Sequence, residues 1–287
     1  MRDVAFRYLA RLSTAGYRRW NEAGAVGDIL LARPEPQAIW PQQEQSAWQQ
    51  ADAVYHRSRE GGGHWEFRRT LPDAWEITYG RSLRFQVRPT GFKHTGLFPE
   101  QATNWDWMAQ AIRGANRPVS VLNLFAYTGG ATLACAAAGA SVVHVDAAKG
   151  MVAWAKENAQ KSKLENAPIR YIVDDALKFV QREERRGHRY DGIVMDPPSY
   201  GRGPNGQMFK FEKDVYPLIQ ACARILSDTP LFFVLNSYTA GFAPAVAGNA
   251  LKCALPKGHV QSENIGLPIG RDMVLPCGAT ARWTPWR

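Results

Sequence analysis

Val119-Ser-Val-Leu-Asn-Leu-Phe-Ala-Tyr-Thr-Gly-Gly130 is the stretch around which the rest of the chain arranges itself. An apolar run from Val119 to Phe125 breaks at a small, glycine-ended turn and enters Ala131-Thr-Leu-Ala-Cys-Ala-Ala-Ala138, a segment rich in the best helix former. The pattern reads as strand, tight loop, helix. Glycines at such a bend let the backbone approach a ligand, and the helix that follows directs its first amides at whatever is bound there. A nucleotide-like cofactor is the first ligand to expect, but many α/β proteins share such a turn, so the residues downstream carry the decision.

Downstream, strand and helix patterns alternate. Strands are expected over 141–146, 169–173, 191–196 and 230–236, and helices over 150–158, 176–186 and about 211–226. Upstream, a loop over 92–101 leads to a helix over 104–114. Strands separated by helices of this length pair in parallel through crossovers, which predicts an α/β, doubly wound, mostly parallel seven-stranded sheet. The last two strand candidates, 259–265 and 273–283, lie close together in sequence and are expected to pair antiparallel at one edge.

Before residue 90 the texture differs. Short alternating stretches at 27–33, 65–69, 75–79 and 83–88 are punctuated by Pro34, Pro36, Gly61-Gly62-Gly63, Pro72 and Gly80. Such runs read as half-buried antiparallel strands, with Gly80-Arg-Ser82 as a hairpin turn. The expected organisation is a small β-rich domain over 1–90, a candidate RNA-contacting module, followed by a larger α/β domain over 91–287. Arginines and aromatics interleave on these strands (Trp65, Phe67, Arg68, Arg69, Tyr79, Arg81, Arg84). That mixture suits stacking on bases, or, more plainly, an aromatic core with arginines on its outer face. The first twenty residues are Arg-rich, with Ala5, Leu9 and Leu12 at helical spacing. An ordered helix is expected there, although an organellar transit peptide has the same composition.

A formal net charge of +9 favours attraction to polyanions. The excess is spread: 14 basic against 10 acidic side chains in residues 1–93, and 21 against 16 in the remainder. The four cysteines, Cys135, Cys222, Cys253 and Cys277, form no CxxC pair, so neither a metal site nor a disulfide framework is indicated. The expected compartment is cytoplasmic. No apolar run approaches the roughly 18 to 20 residues of a membrane span, so no membrane partner is expected. The sequence carries no signal for oligomeric state.

In doubly wound sheets ligands sit beyond the carboxyl ends of the strands. Four positions fall there in order: the turn Ala126-Tyr-Thr-Gly129, Asp146, Asp174-Asp175, and Asp196-Pro-Pro-Ser-Tyr200. An acid after the second strand, about 20 residues past the glycine turn, suits both hydroxyls of a ribose, and an acid after the third suits the adenine amino group. Asp196-Pro-Pro is the part that a dehydrogenase does not need. Plainer readings remain for each: Asp146 and Asp175 as helix caps, Asp196-Pro-Pro as a helix-stopping loop, and Tyr127 as a core residue.

These motifs resemble those of the class I S-adenosylmethionine-dependent methyltransferases, most closely the bacterial group containing the large-subunit ribosomal RNA base methyltransferases. The matching residues are Asn123 to Gly130, Val145-Asp146, Asp175-Ala176, Asp191 to Pro198, and the loop Thr95-Gly-Leu-Phe-Pro-Glu-Gln101. The resemblance implies S-adenosylmethionine as cofactor. Asn123, Phe125, Ala126, Tyr127, Thr128 and Gly129 would hold its methionine end, Asp146 with Ala147 its ribose, and Asp175 with Ala176 its adenine. Phe98 and Gln101 would close over it. Asp196, Pro197 and Pro198 would face the methyl group and the acceptor.

The acceptor decides what further chemistry is needed. Carbon acceptors on pyrimidines require a cysteine nucleophile, which the resemblance implies at the end of the fifth strand. This chain has Asn236-Ser-Tyr-Thr there, and Cys135, Cys222 and Cys253 read as small apolar residues. Cys277 is the remaining thiol in a loop-like setting. A ring or exocyclic nitrogen is the better acceptor, with Tyr200 stacking on the base and Asn236 bonding its edge. Ser199 intervenes before Tyr200, which resembles the guanine N7 enzymes of the group more than the adenine N6 enzymes. The glycine-rich loop 201–208, carrying Arg202, is expected to order on substrate binding. The favoured partner is RNA, ribosomal RNA in particular. The alternatives are a small molecule or protein side chain as acceptor, and a catalytically silent RNA-binding protein.

Overall fold

In the computed structural model, which describes residues 3–7, 29–40, 49–58, 62–203, 206, 208–268 and 273–286, the chain divides into two units. One comprises Met1–Phe98 with Pro268–Leu275, and the other Pro99–Leu267 with Pro276–Arg287. The division thus falls after Phe98 and returns a short carboxyl-terminal segment to the first unit.

In the first unit, β1 (Asp3–Arg7), β2 (Leu30–Pro34), β3 (Ala53–Arg57) and β4 (Gly63–Phe67) form a four-stranded sheet in that order. A separate hairpin joins β5 (Trp75–Tyr79) to β6 (Leu83–Val87). The hairpin shows the period-two logic: Leu83, Phe85 and Val87 are buried, while Arg84 and Gln86 are half-buried. Gly80 turns the chain with φ +62°. Pairing is antiparallel except between β2 and β3, which run parallel. β3 breaks the alternation because Ala53, Val54 and Tyr55 are buried in succession. Ala5 lies in a strand rather than the expected helix, its backbone paired to β2; Leu9 and Leu12 lie outside the described residues.

In the second unit a short 3-10 turn (Pro99–Gln101) leads into α1 (Ala102–Gly114), β7 (Ser120–Leu124), α2 (Gly130–Ala137), β8 (Ser141–Asp146) and α3 (Lys149–Lys161). Then follow β9 (Ile169–Val173), α4 (Ala176–Arg185), β10 (Gly192–Met195), the small hairpin of β11 (Tyr200–Arg202) and β12 (Met208–Lys210), and α5 (Phe211–Ala223). The last elements are β13 (Phe232–Ser237), α6 (Pro244–Ala254), β14 (His259–Pro268) and β15 (Val274–Thr284). The seven-stranded sheet has the order β14-β15-β13-β10-β7-β8-β9. β13, β10, β7, β8 and β9 are parallel, and β15 runs antiparallel to β13. The glycine-rich segment after Asp196 is thus partly a hairpin, and α6 has no counterpart among the expected helices.

Double winding follows from alternate residues of β7. Leu122 and Leu124 share a buried cluster with Phe179 and Val180 of α4, Leu218 and Ile219 of α5, and Leu251 of α6. Asn123, pointing the other way, donates from Nδ2 to Thr132 Oγ1 of α2 at 2.9 Å. Helices therefore cover both faces, and a central parallel strand buried on both sides must read as a near-continuous apolar run. The chain leaves β7 toward β8 and β9 on one side, then returns to β10 on the other. The switch point lies between β7 and β10, where such sheets open a ligand crevice.

Candidate cofactor and acceptor site

Because β10, β7, β8 and β9 are sheet neighbours, their carboxyl ends bring the four sequence-expected segments to one edge. Backbone bonds join these ends: Ala126 N donates to Val145 O (3.1 Å), Asp174 N to Asp146 O (3.2 Å) and Asp196 N to Leu124 O (3.4 Å). The bend after β7 alternates sharply, with φ +54° at Phe125, +50° at Tyr127 and +90° at Gly129. Left-handed conformation costs a non-glycine residue roughly 1–3 kcal/mol and persists only where the surroundings enforce it. Here the enforcement is visible. Asp146 Oδ2 accepts from Tyr127 N at 2.8 Å, and Asn158 Nδ2 of α3 donates to Thr128 O at 2.9 Å.

Packing accounts for the two glycines. A Cβ on Gly129 would meet Ala155 Cβ at 3.1 Å, and one on Gly130 would meet Trp105 Cζ2 at 2.6 Å. They let α2 pass close to α1 and α3, a role that the sequence reading assigned to ligand approach. Asn123 is buried and spends its amide on Thr132, whose hydroxyl also bonds His144 Nδ1 at 2.9 Å. Its side chain braces β7 against α2. Burial depresses the His144 imidazole to about 3, so it stays neutral.

Asp146 ends β8 with its second oxygen accepting from Ala148 N at 2.8 Å, and Ala147 between them is half-buried. Burial raises this carboxyl above the usual carboxylate range, against the pull of the two amides. Asp175 caps α4, its Oδ1 accepting from Lys178 N at 2.9 Å, with Ala176 buried as the first helical residue. The cap fixes where that carboxylate stands and leaves its second oxygen uninvolved in the cap.

Asp196 follows β10. Its Oδ1 is buried with no hydrogen-bond partner among the described residues, and burial followed by the field of Glu100 pushes the carboxyl up to about 7. Pro197 is buried and Pro198 exposed. Ser199 Oγ bonds Thr239 Oγ1 at 2.8 Å, and Tyr200 is 60% exposed with Lys210 Nζ 5.5 Å from its ring centre.

Beside this acid lies a buried polar network that the motif reading missed. Gln101 Nε2 donates to the Tyr238 hydroxyl at 2.8 Å, and Tyr238 in turn bonds Glu100. Asn104 Nδ2 reaches Gln101 Oε1 (2.8 Å) and Asn236 Oδ1 (3.0 Å), and Arg282 Nε donates to Asn104 Oδ1 at 2.8 Å. Arg282 also pairs with Glu263 at 2.7 Å. Asn236 is 2% exposed, inside this network rather than at an open base-reading position, and the Gln101 amide is likewise committed. Phe98 ends the first unit with its ring 4.8 Å from that of His94. The sequence signal for the network was an acid and an amide, Glu100 and Gln101, buried in an otherwise apolar loop.

The thiols divide. Cys135 and Cys222 are buried, which pushes Cys135 up to about 12 and raises Cys222 likewise. Cys253 is exposed, contrary to its reading as a buried apolar residue, and Cys277 is half-buried within β15 rather than in a loop. No described helix is long and apolar enough to cross a membrane.

The donors and acceptors fit S-adenosylmethionine on their chemistry. A carboxylate tied to the strained bend offers the kind of acceptor a ribose needs, a capped carboxylate follows at the next strand end, and the Asp196 oxygen, without a partner among the described residues, could take a donor from a ligand. Comparison with known proteins agrees. A family model described as S-adenosylmethionine-dependent methyltransferase matches residues 45–246. A crystal structure of the S-adenosylmethionine-dependent methyltransferase from Agrobacterium tumefaciens is 40% identical, with a TM-score of 0.85, covering 91% of this chain and 86% of that one. A Streptococcus mutans protein described as a candidate S-adenosylmethionine-dependent methyltransferase, 21% identical with a TM-score of 0.70 over 90% of this chain and 69% of that one, shares the fold. Among curated proteins, the ribosomal RNA large subunit methyltransferase K/L of a Shewanella species (strain W3-18-1) is 30% identical over 155 residues, 53% of this chain. The match spans 21% of that relative, about a fifth of its length.

Proposed function

This chain belongs to the S-adenosylmethionine-dependent methyltransferase family, and from that premise we propose that it transfers the cofactor's methyl group to a base nitrogen of RNA, with ribosomal RNA as the target. When bound, the cofactor supplies a methyl group activated on a sulfonium. The bend Phe125–Gly129 holds the methionine end, Asp146 accepts from the ribose hydroxyls, and Asp175 with Ala176 receives the adenine. Alignment of methyl and acceptor by fixed groups supplies much of the acceleration of such a displacement.

The observation that carries the reading is Asp196: a buried carboxyl oxygen without a partner among the described residues, at the switch point, followed by two prolines and an exposed Tyr200. Prolines keep this backbone rigid without amide donors of their own. An exposed aromatic with a lysine over its ring suits a flipped base and its phosphate. The net charge of +9 and the ribosomal RNA enzymes among the relatives support RNA over a small acceptor.

The test is nucleoside mass spectrometry of ribosomal RNA from cells with and without the protein, followed by transfer in vitro with wild type and Asp196→Ala. A methylated base missing from the deletion strain and restored by wild type alone is the expected result. Asp196→Ala should abolish transfer while leaving cofactor affinity within a few fold. Unaltered RNA in the deletion strain, with transfer to a small molecule or protein instead, overturns the RNA reading. Unchanged turnover in Asp196→Ala removes that residue from the mechanism.

A further inference from the structure

We propose that Glu100, Tyr238 and Asp196 form one proton-holding unit, in which Glu100 and Tyr238 act as positioning residues that keep Asp196 ready to take a proton from a proton-bearing acceptor nitrogen. This inference rests on the function proposed above and specifies how that site handles the acceptor's proton.

Three segments converge to make the unit. Glu100 comes from the 3-10 turn before α1 and is 5% exposed; Tyr238 follows β13, and Asp196 follows β10. The chain of donors has one direction. Gln101 Nε2 can only donate, and it donates to the Tyr238 oxygen at 2.8 Å. The Tyr238 hydroxyl proton therefore goes to its other partner, the Glu100 carboxylate. A hydrogen bond donated to a carboxylate favours its charged form. Two carboxyls in one buried region disfavour each other's ionisation, since like charges repel at close range. Asp196 is the carboxyl beside Glu100, and its buried Oδ1 has no hydrogen-bond partner among the described residues. Both neighbours feel the pair: Glu100 raises Asp196, and Glu100 and Asp196 together contribute to lifting the Tyr238 phenol well above its usual range, after burial as the main cause. Arg282, the buried cation of the adjoining network, is engaged by Glu263, Thr103 and Asn104. The bend after β7 contributes Tyr127 and no charged side chain.

The arrangement has a use only for an acceptor that must lose a proton. In the transfer the nitrogen lone pair forms the N–C bond as the C–S bond breaks, the bonding electrons return to sulfur, and the proton left on nitrogen moves to ionised Asp196. A base whose affinity for protons lies near the working pH is matched to that task and can release the proton afterwards. A ring nitrogen without a proton, such as guanine N7, needs no such partner. The unit therefore favours an exocyclic amine or protonated ring nitrogen, against the resemblance of the Ser199-Tyr200 sequence to N7 enzymes.

The experiment reads Asp196 directly. Carboxyl-carbon NMR of the full-length protein, with the Asp196 resonance assigned by its loss in Asp196→Asn, follows its titration in wild type, Glu100→Gln and Tyr238→Phe. The expected result is a midpoint in the neutral range in wild type that falls by about one pH unit or more in Glu100→Gln, and also in Tyr238→Phe, where Glu100 competes better for the proton. Should Glu100→Gln fail to fold, Tyr238→Phe carries the test. A midpoint unchanged in every folded variant overturns the proposal. In turnover assays the acid limb of the kcat profile should move to lower pH in the same variants, with KM for cofactor preserved; a limb that stays in place while Asp196 shifts overturns the catalytic use of the unit. A shifted Asp196 midpoint in a protein that leaves RNA unmethylated in vitro and in cells would retain the cluster and discard the RNA acceptor.

Discussion

Gly130→Ala separates two reasons for a glycine at the head of α2. A Cβ at this position would stand 2.6 Å from Cζ2, 3.2 Å from Cε2 and 3.4 Å from Cη2 of Trp105, a ring only 3% exposed. Carbon atoms pack at about 3.5–4.0 Å, so about 1 Å of separation must come from shifting α1, α2 or the indole. Overpacking of this size in a close-packed interior costs about 1–3 kcal/mol. Alanine returns up to about 1 kcal/mol in a helix interior, and less at the first helical residue where Gly130 stands. The net is a loss of about 1–2 kcal/mol, or a melting temperature lower by about 2–8 °C at this size.

The assay is thermal and urea unfolding without cofactor, with Trp105→Phe as the second arm of a double-mutant cycle. The Phe ring does not reach the space of Cζ2 and Cη2, so the cost of Gly130→Ala should be smaller in that background, a coupling visible outside the usual error of additivity. An apo protein as stable as wild type, with cofactor affinity alone reduced, would falsify the packing argument and return Gly130 to the ligand.

Asp196 has its proton bound more tightly in the folded state than in the unfolded one, from about 3.8 up to about 7, so its contribution favours the fold at low pH and is lost as pH rises through about 7. Asp196→Asn should therefore gain stability over wild type at pH 8 relative to pH 4, by up to about 4 kcal/mol for three units at about 1.4 kcal/mol each; urea midpoints that differ equally at both pH values refute this. Asp146→Asn can accept only one of the two amide bonds and loses its charge, so calorimetry should show cofactor affinity lower by roughly 10- to 100-fold from a lost charge-assisted bond; a change under twofold removes Asp146 from the ribose. Tyr200→Ala should raise KM for RNA roughly tenfold or more, as expected for one lost stacking partner, with cofactor affinity held; an unchanged KM places the base elsewhere.

What was legible in the sequence follows from how much each segment depends on distant partners. β7, β10 and β13 are buried on both faces, so their apolar runs advertise themselves, and Asp146, Asp175 and Asp196 mark the strand ends. β3 and α6 were not legible. The first has consecutive buried residues without alternation, and the second opens on Pro244 with an Ala-rich run that reads as loop or helix alike. Asn236 looked like an acceptor contact because it ends β13. Its true neighbour, Asn104, lies 132 residues away in the chain, a distance that no local pattern spans. Glu100 lies in the Thr95–Gln101 loop and Tyr238 just past the fifth strand of the parallel series, yet their relation is created only when the turn before α1 meets the end of β13.

The two sides of the site are held differently, and this bears on the order of events. On the cofactor side the strained bend is fixed before any ligand arrives, by Asp146 on Tyr127 N and by Asn158 on Thr128 O. Binding there requires little rearrangement, so most of its favourable contacts appear as affinity. On the acceptor side the Asp196 oxygen is buried without a donor among the described residues, a state that costs about 1–3 kcal/mol until a partner is supplied. An acceptor N–H supplies it and relieves that cost only when correctly placed. Under the proposal above, a base lacking the proton leaves the carboxyl as it was, so discrimination among nitrogens would lie in the resting site. Under the proposed function, a preformed cofactor side and an acceptor side awaiting a donor favour cofactor first and acceptor second, with Asp196 as the point at which the second choice would be made.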